Sequence, residues 1–174
     1  EATLLNVTIC DNCISNVTKM GIIATCTANA HLRNLSIENN RIQTHSGEYA
    51  KGRGIQVGDT ASGYTLKNIT VRGNFIDDTD SDTPFEWGIR VHTGDNVCIA
   101  DNIVNGSGSG GIYVIERTAS GPTVVVNNVI SNITGDAFIG CRVDNRTSGC
   151  GSKLICGNVI RNCSYGVYTR CEVE

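Results

Sequence analysis

The sequence contains only two prolines, Pro84 and Pro122, and its Ala, Leu, Glu and Lys residues nowhere gather into a 3.6-residue apolar stripe, which argues against a helical fold. An excess of basic charge is also missing. With 14 Lys and Arg against 17 Asp and Glu, the formal net charge is −3, so the counterion release that drives nucleic-acid binding has no basic patch to work through. No apolar run approaches the roughly 20 residues needed to cross a bilayer, and no charged-then-apolar leader opens the chain; neither nucleic acid nor membrane is an expected partner. P-loop, HExxH and GxSxG signatures are absent. Nothing divides the 174 residues into two compositions, so residues 1–174 are read as one domain. Because Glu1 stands where Met is usual, a processed chain or an excised fragment is expected.

Present in quantity are Gly, twenty of them, with Asn, Val and Ile, the composition of short strands joined by tight turns. These residues repeat. An apolar-alternating strand followed by Asn, any residue, then Ile or Val recurs as VTICDNCI, LSIENNRI, ITVRGNFI, VCIADNIV, VVVNNVI and LICGNVI, with Asn at 12, 40, 74, 102, 128 and 158. Spacings of 28, 34, 28, 26 and 30 residues make each repeat one turn of a solenoid. A second strand follows in each turn as Gly, apolar, variable, apolar: GIIA from Gly21, GIQV from Gly54, GIRV from Gly88, GIYV from Gly111 and GVYT from Gly166, with Ala137–Gly140 as a looser fifth copy. Alternation then sends Ile55, Ile89, Ile112, Phe138 and Val167 inward, backed by Val57, Val91 and Val114, and Gln56, Arg90, Tyr113, Ile139 and Tyr168 outward. Asn at a strand corner tolerates left-handed backbone and can bond both neighbouring backbone and the Asn of the next coil, so a structural Asn ladder is expected. The predicted fold is all-β, a single-stranded right-handed parallel β-helix of about six coils.

On these repeats the chain resembles the pectate-lyase-like right-handed β-helix superfamily of pectinolytic enzymes, alginate-modifying enzymes and phage tailspikes. The resemblance covers nearly the whole chain and implies an extracellular or virion-surface protein that handles acidic or bacterial-surface polysaccharide. The paired-Asp and HG/RIK motifs of polygalacturonases and the DPH-type motif of alginate epimerases are not found. Three readings stay open: a tailspike or depolymerase segment that binds and in some versions cleaves a polysaccharide, a secreted lyase or hydrolase, and a non-catalytic structural or adhesive β-helix. Solenoid ends expose core and strand edges, so further coils, a cap or partner chains are expected to cover them, with a homotrimer favoured by the tailspike resemblance.

Nine Cys leave at least one unpaired. Cys141 and Cys171 fall four and five residues after Ala137 and Gly166, the matching positions of coils five and six, and are candidates for a disulfide; Cys10, Cys98 and Cys156 read as small buried residues. Cys10, Cys13, Cys26 and His31 have zinc-finger-like spacing, but the coil already dictates it. Eight Asn-x-Ser/Thr sequons begin at Asn6, Asn16, Asn34, Asn68, Asn105, Asn132, Asn145 and Asn162; several are one repeat position copied along the chain, where Thr or Ser suits a strand.

Residues 43–53 and 77–87 lengthen two neighbouring coils at the same edge, the place where solenoids carry function. Tyr49, Phe85 and Trp87 offer rings to sugar faces or pack their loops onto the coil. Asp77, Asp78, Asp80 and Asp82 form an oxygen-rich run in which Asp78, Asp80 and Asp82 are candidate calcium ligands, the alternative being a solvated acidic loop; no other cofactor is expected. The candidate polysaccharide site is the outward face of the Gly strands, with Glu86, Trp87, Arg90 and Tyr113 as binding residues and Asp59, His92 and Glu116 as catalytic ones. Asp59 and Glu116 share an offset two coils apart, about 9.6 Å by strand spacing, near the separation at which two carboxylates flank a water in inverting hydrolysis. Alternatively Arg90 neutralises a uronate while His92 takes a proton, or the row is a solvated charge ladder with no chemistry.

Overall fold

The computed structural model describes residues 2–26, 29–44, 52–59, 65–79, 84–92, 94–116, 121–134, 139–146 and 151–171. Each coil contributes three strands. Coil one holds β1 (Ala2–Cys10), β2 (Cys13–Val17) and β3 (Met20–Ala24), and coil two β4 (Ala30–Glu38), β5 (Arg41–Thr44) and β6 (Arg53–Val57). Coil three follows with β7 (Thr65–Arg72), β8 (Phe75–Asp77) and β9 (Trp87–His92), and coil four with β10 (Gly94–Ala100), β11 (Ile103–Ser107) and β12 (Gly110–Glu116). Coil five has β13 (Thr123–Val126), β14 (Val129–Ile133) and β15 (Ile139–Asn145), and coil six β16 (Lys153–Cys156), β17 (Val159–Arg161) and β18 (Tyr165–Cys171). The first, second and third strands of the coils line up as three six-stranded sheets with every pair parallel, which makes the chain a parallel β-helix. The repeat anticipated two strands per coil; the residue after each corner Asn opens a further short strand, whose second residue is the Ile or Val of the motif.

The interior is a set of columns, one residue per coil. Ile9, Ile37, Val71, Ile99 and Val125 stack under sheet one, Ile14, Ile42, Ile76, Val104 and Ile130 under sheet two, and Ile22, Ile55, Ile89, Ile112 and Cys141 under sheet three. Branched aliphatic side chains suit this because their stiff rotamers fit a pleated, buried surface. Gly111 is one of the strand glycines at which the wall leaves no room for a side chain: a Cβ there would stand 2.3 Å from Ile130 Cγ2 and 2.7 Å from the Gly140 carbonyl oxygen.

That pairing corrects the register of coil five. Gly140, not Ala137, is the strand glycine, so Cys141 fills the inward column, Arg142 takes the outward place assigned to Ile139, and Phe138 lies outside the described residues. Cys141 pairs with Val167, while Cys171 pairs with Asn145. The two cysteines are therefore four residues apart along the strand direction, about 13 Å, beyond disulfide reach. Cys141 is a free, fully buried thiol, and burial pushes its pKa up to about 12.

The Asn ladder forms as expected. Each amide donates to the carbonyl oxygen of the next: Asn12 to Asn40 at 2.8 Å, Asn40 to Asn74 at 2.9 Å, Asn74 to Asn102 at 3.0 Å, and Asn102 to Asn128 and Asn128 to Asn158 at 2.9 Å. The left-handed backbone, however, belongs to the residue before each rung: Asp11, Asn39, Gly73, Asp101, Asn127 and Gly157 have φ between 55° and 65°. Asp, Asn or Gly turns the corner there, the residue types that tolerate left-handed backbone, and the ladder Asn behind it fastens the turn. A second ladder joins Asn34 to Asn6, Asn68 to Asn34 and Asn96 to Asn68 at 2.8–2.9 Å inside the strands of sheet one, all four residues left-handed. Three sequons thus encode kinks in sheet one, and Thr8, Ser36 and Thr70 two residues on are register partners.

Candidate functional site

Both lengthened segments connect sheet two to sheet three, in coils two and three. Along the outer face of sheet three one column runs Gln56, Arg90, Tyr113, Arg142, Tyr168. Cations and rings alternate. The Arg90 guanidinium lies 5.7 Å from the centre of the Tyr113 ring, and that of Arg142 lies 4.9 Å from Tyr113 and 5.2 Å from Tyr168. Trp87 packs on Tyr113 with ring centres 4.6 Å apart. It can do so because its register partner is Gly110, where a Cβ would come within 2.1 Å of the indole. Ile115, Ile139 and the half-buried Tyr168 complete this outer apolar cluster.

Asp144 organises the row. Its carboxylate accepts the Tyr113 hydroxyl at 2.7 Å and both Nε (2.9 Å) and Nη2 (2.7 Å) of Arg142, and it is 1% exposed. Burial, then the bond to Asp144, raises the Tyr113 pKa, and the same carboxylate raises that of Arg142. Tyr113 is therefore a neutral donor and Arg142 a fixed cation throughout the physiological range.

The expected binding residues come together: Trp87, Arg90 and Tyr113 share this face, and Glu86 sits at its edge, bonded to Arg53 at 2.8 Å. Trp87 and Tyr113 are almost wholly buried rather than solvated. The expected catalytic residues have different surroundings. His92, level with Ile115, is 1% exposed. Glu116 is 0% exposed, accepts the Thr123 hydroxyl and pairs with the Lys153 ammonium at the corner between sheets three and one. Asp59 stands two residues beyond β6 at an intermediate exposure, so the two carboxylates share an offset but not an environment. Of the calcium candidates, Asp80 and Asp82, like Tyr49 in the other segment, lie outside the described residues. Asp78 is buried and accepts the Phe85 amide, which bridges the two ends of its segment; desolvation raises its pKa to about 7, against that hydrogen bond. Among the described residues no group of three or more His, Cys, Asp or Glu could hold a metal ion.

Arg142 and Asp144 were missed from the sequence. The signal was available: GCRV from Gly140 has the same Gly, apolar, variable, apolar form as GIRV and GIYV. Comparison with protein-family models, curated proteins and solved structures finds no match for this chain.

Proposed function

We propose that the outer face of sheet three binds a linear acidic polysaccharide lying across the coils, in the manner of a tailspike-like or pectate-lyase-like β-helix working outside the cell or on a virion. The observation that carries this reading is the alternating row Arg90, Tyr113, Arg142, Tyr168, one residue per coil. A strand spacing of about 4.8 Å repeats the cation-and-ring motif at intervals of two coils. Guanidinium groups recognise carboxylates through paired donors, and the half-buried ring of Tyr168 suits the apolar face of a sugar, with the buried Tyr113 ring as its support. Asp144 holds Arg142 and Tyr113 in place, so little side-chain freedom is left to lose on binding. Binding is the whole of the proposal. Glu116, enclosed with Lys153, is not presented to a polymer on this face, and no reaction is assigned. Association with further copies, a trimer being favoured, belongs to the same reading.

Calorimetry with oligogalacturonate and alginate oligosaccharides, and dextran as the neutral control, tests it. Acidic oligosaccharides should bind, more weakly as salt rises, and Tyr168→Ala should cost about 1 kcal/mol, several-fold in affinity. Failure of both acidic polymers to bind, or equal binding of dextran, refutes the reading.

A further inference from the structure

Among the described residues, two buried side-chain oxygens have no hydrogen-bond partner: Asp78 Oδ1 and Gln56 Oε1. Gln56 is the one on the row. It opens the column on coil two, level with Arg90, and is 5% exposed. Its Nε2 donates to the Gly58 carbonyl at 2.6 Å, which fixes the amide so that the oxygen is the atom left over. A buried acceptor without a donor costs free energy in the empty protein. An apolar side chain of the same length would forgo the Gly58 bond but also escape the larger cost of an orphan acceptor, so the position is better suited to a bound state than to the free one.

We propose that Gln56 Oε1 accepts a hydrogen bond from a hydroxyl of the bound sugar at the coil-two end of the row, making Gln56 a specificity-determining residue. This inference rests on the polysaccharide reading above. The chemistry separates two parts of one ligand. Arg90 and Arg142 are donors only and suit a carboxylate, whereas an orphan carbonyl oxygen repels a carboxylate and requires a donor, which on a sugar is a hydroxyl. A ring that places carboxylate and hydroxyl at neighbouring levels sets its charge beside Arg90 and its donor on Gln56; an epimer that turns the hydroxyl away leaves the acceptor unpaired, and hydrogen-bonding sites discriminate strongly against ligands that leave them unpaired.

Gln56→Met removes the acceptor, and with it the smaller contribution of the bond to the Gly58 carbonyl, at nearly constant volume. Binding of oligogalacturonate and alginate oligosaccharides is measured for the natural protein, Gln56→Met and Tyr168→Ala, with the thermal midpoint of each ligand-free protein. The expected result is a loss of about tenfold or more for Gln56→Met against whichever oligosaccharide the natural protein binds, with an unchanged or higher midpoint. If Tyr168→Ala weakens binding and Gln56→Met does not, the inference falls and the row remains a binding face. A lowered midpoint or an unfolded spectrum for Gln56→Met assigns Gln56 a structural role and equally overturns it. If the natural protein binds neither oligosaccharide, both readings fall.

Discussion

Replacing Asn74 by Ala should be far more damaging than replacing Asn12, although both are rungs of one ladder. The Asn74 side chain has five hydrogen-bond partners: the two Nδ2 protons are shared among the carbonyls of Ile37 (2.9 Å) and Arg72 (3.1 Å) and Asn102 Oδ1 (3.0 Å), and its oxygen accepts the amide N–H (3.0 Å) and Nδ2 (2.9 Å) of Asn40. The residue is 1% exposed, so water does not replace these partners. At about 1 kcal/mol net per bond for two donated and two accepted bonds, Asn74→Ala costs about 4 kcal/mol, a large part of the 5–15 kcal/mol expected of a domain. Asn12 is exposed, and its side chain donates only to the Cys10 carbonyl and to Asn40 Oδ1; its loss should cost about 1–2 kcal/mol. Urea unfolding followed by circular dichroism at one pH measures both. Asn74→Asp should be worse than Ala at neutral pH, because a buried carboxylate would face three acceptors with no proton to offer, and should recover partly in acid. Equal losses for Asn12 and Asn74, or less than about 1.5 kcal/mol for Asn74→Ala, would refute the account of the ladder as a buried hydrogen-bond network.

Three further outcomes follow from the same geometry. Asp78 has a folded pKa of about 7 against an ordinary 3.8, so between about pH 4 and 7 the folded chain holds a proton that the unfolded chain has lost; its contribution to stability is present in acid and falls as pH rises through that window. Subtracting the thermal midpoints of Asp78→Asn from those of the natural protein should isolate this slope, and identical pH profiles would contradict it. Glu116→Gln or Lys153→Met alone should destabilise by about 3 kcal/mol, with the double variant costing much less than the sum, because each single change strands a buried or half-buried charge; strict additivity in a double-mutant cycle would show that the pair is not coupled. Gly111→Val should lower stability by at least 2–3 kcal/mol, since its Cβ would meet the Gly140 carbonyl and Ile130; a neutral effect on the melting temperature would count against close packing between coils.

The fold was readable because a solenoid repeats its instructions. Six corner Asn and five Gly strands gave the coil period, the inward columns and the ladder without any tertiary information. What failed depended on one-residue precision. In coil five, Phe138 and Gly140 both fitted a loose pattern, and the choice between them moved Arg142 and Asp144 out of view; only hydrogen-bonded register fixes it. The left-handed residue was placed one position late because Asn39–Asn40 and Asn127–Asn128 are doublets, in which the corner and the rung are the same amino acid. Burial of Glu116 was invisible for a different reason: Lys153 stands 37 residues away and reaches it only because the coils bring sheet one of coil six beside the end of β12. Outward did not mean solvated, and Tyr113 and Gln56 are the clearest instances.

The corner ladder also gives the molecule a direction. From Asn12 to Asn128 every side-chain amide donates to the oxygen of the next rung in the higher-numbered coil, and the backbone N–H of each of these rungs donates to that same oxygen. The amide dipoles therefore add head to tail along the axis instead of cancelling, much as peptide dipoles do in an α-helix. Such a stack polarises itself, each bond strengthening its neighbours. A coil inserted into it keeps the ladder only if its own Asn enters in the same orientation, so this corner tolerates growth by whole, correctly oriented turns while leaving the length of each outer loop free to change.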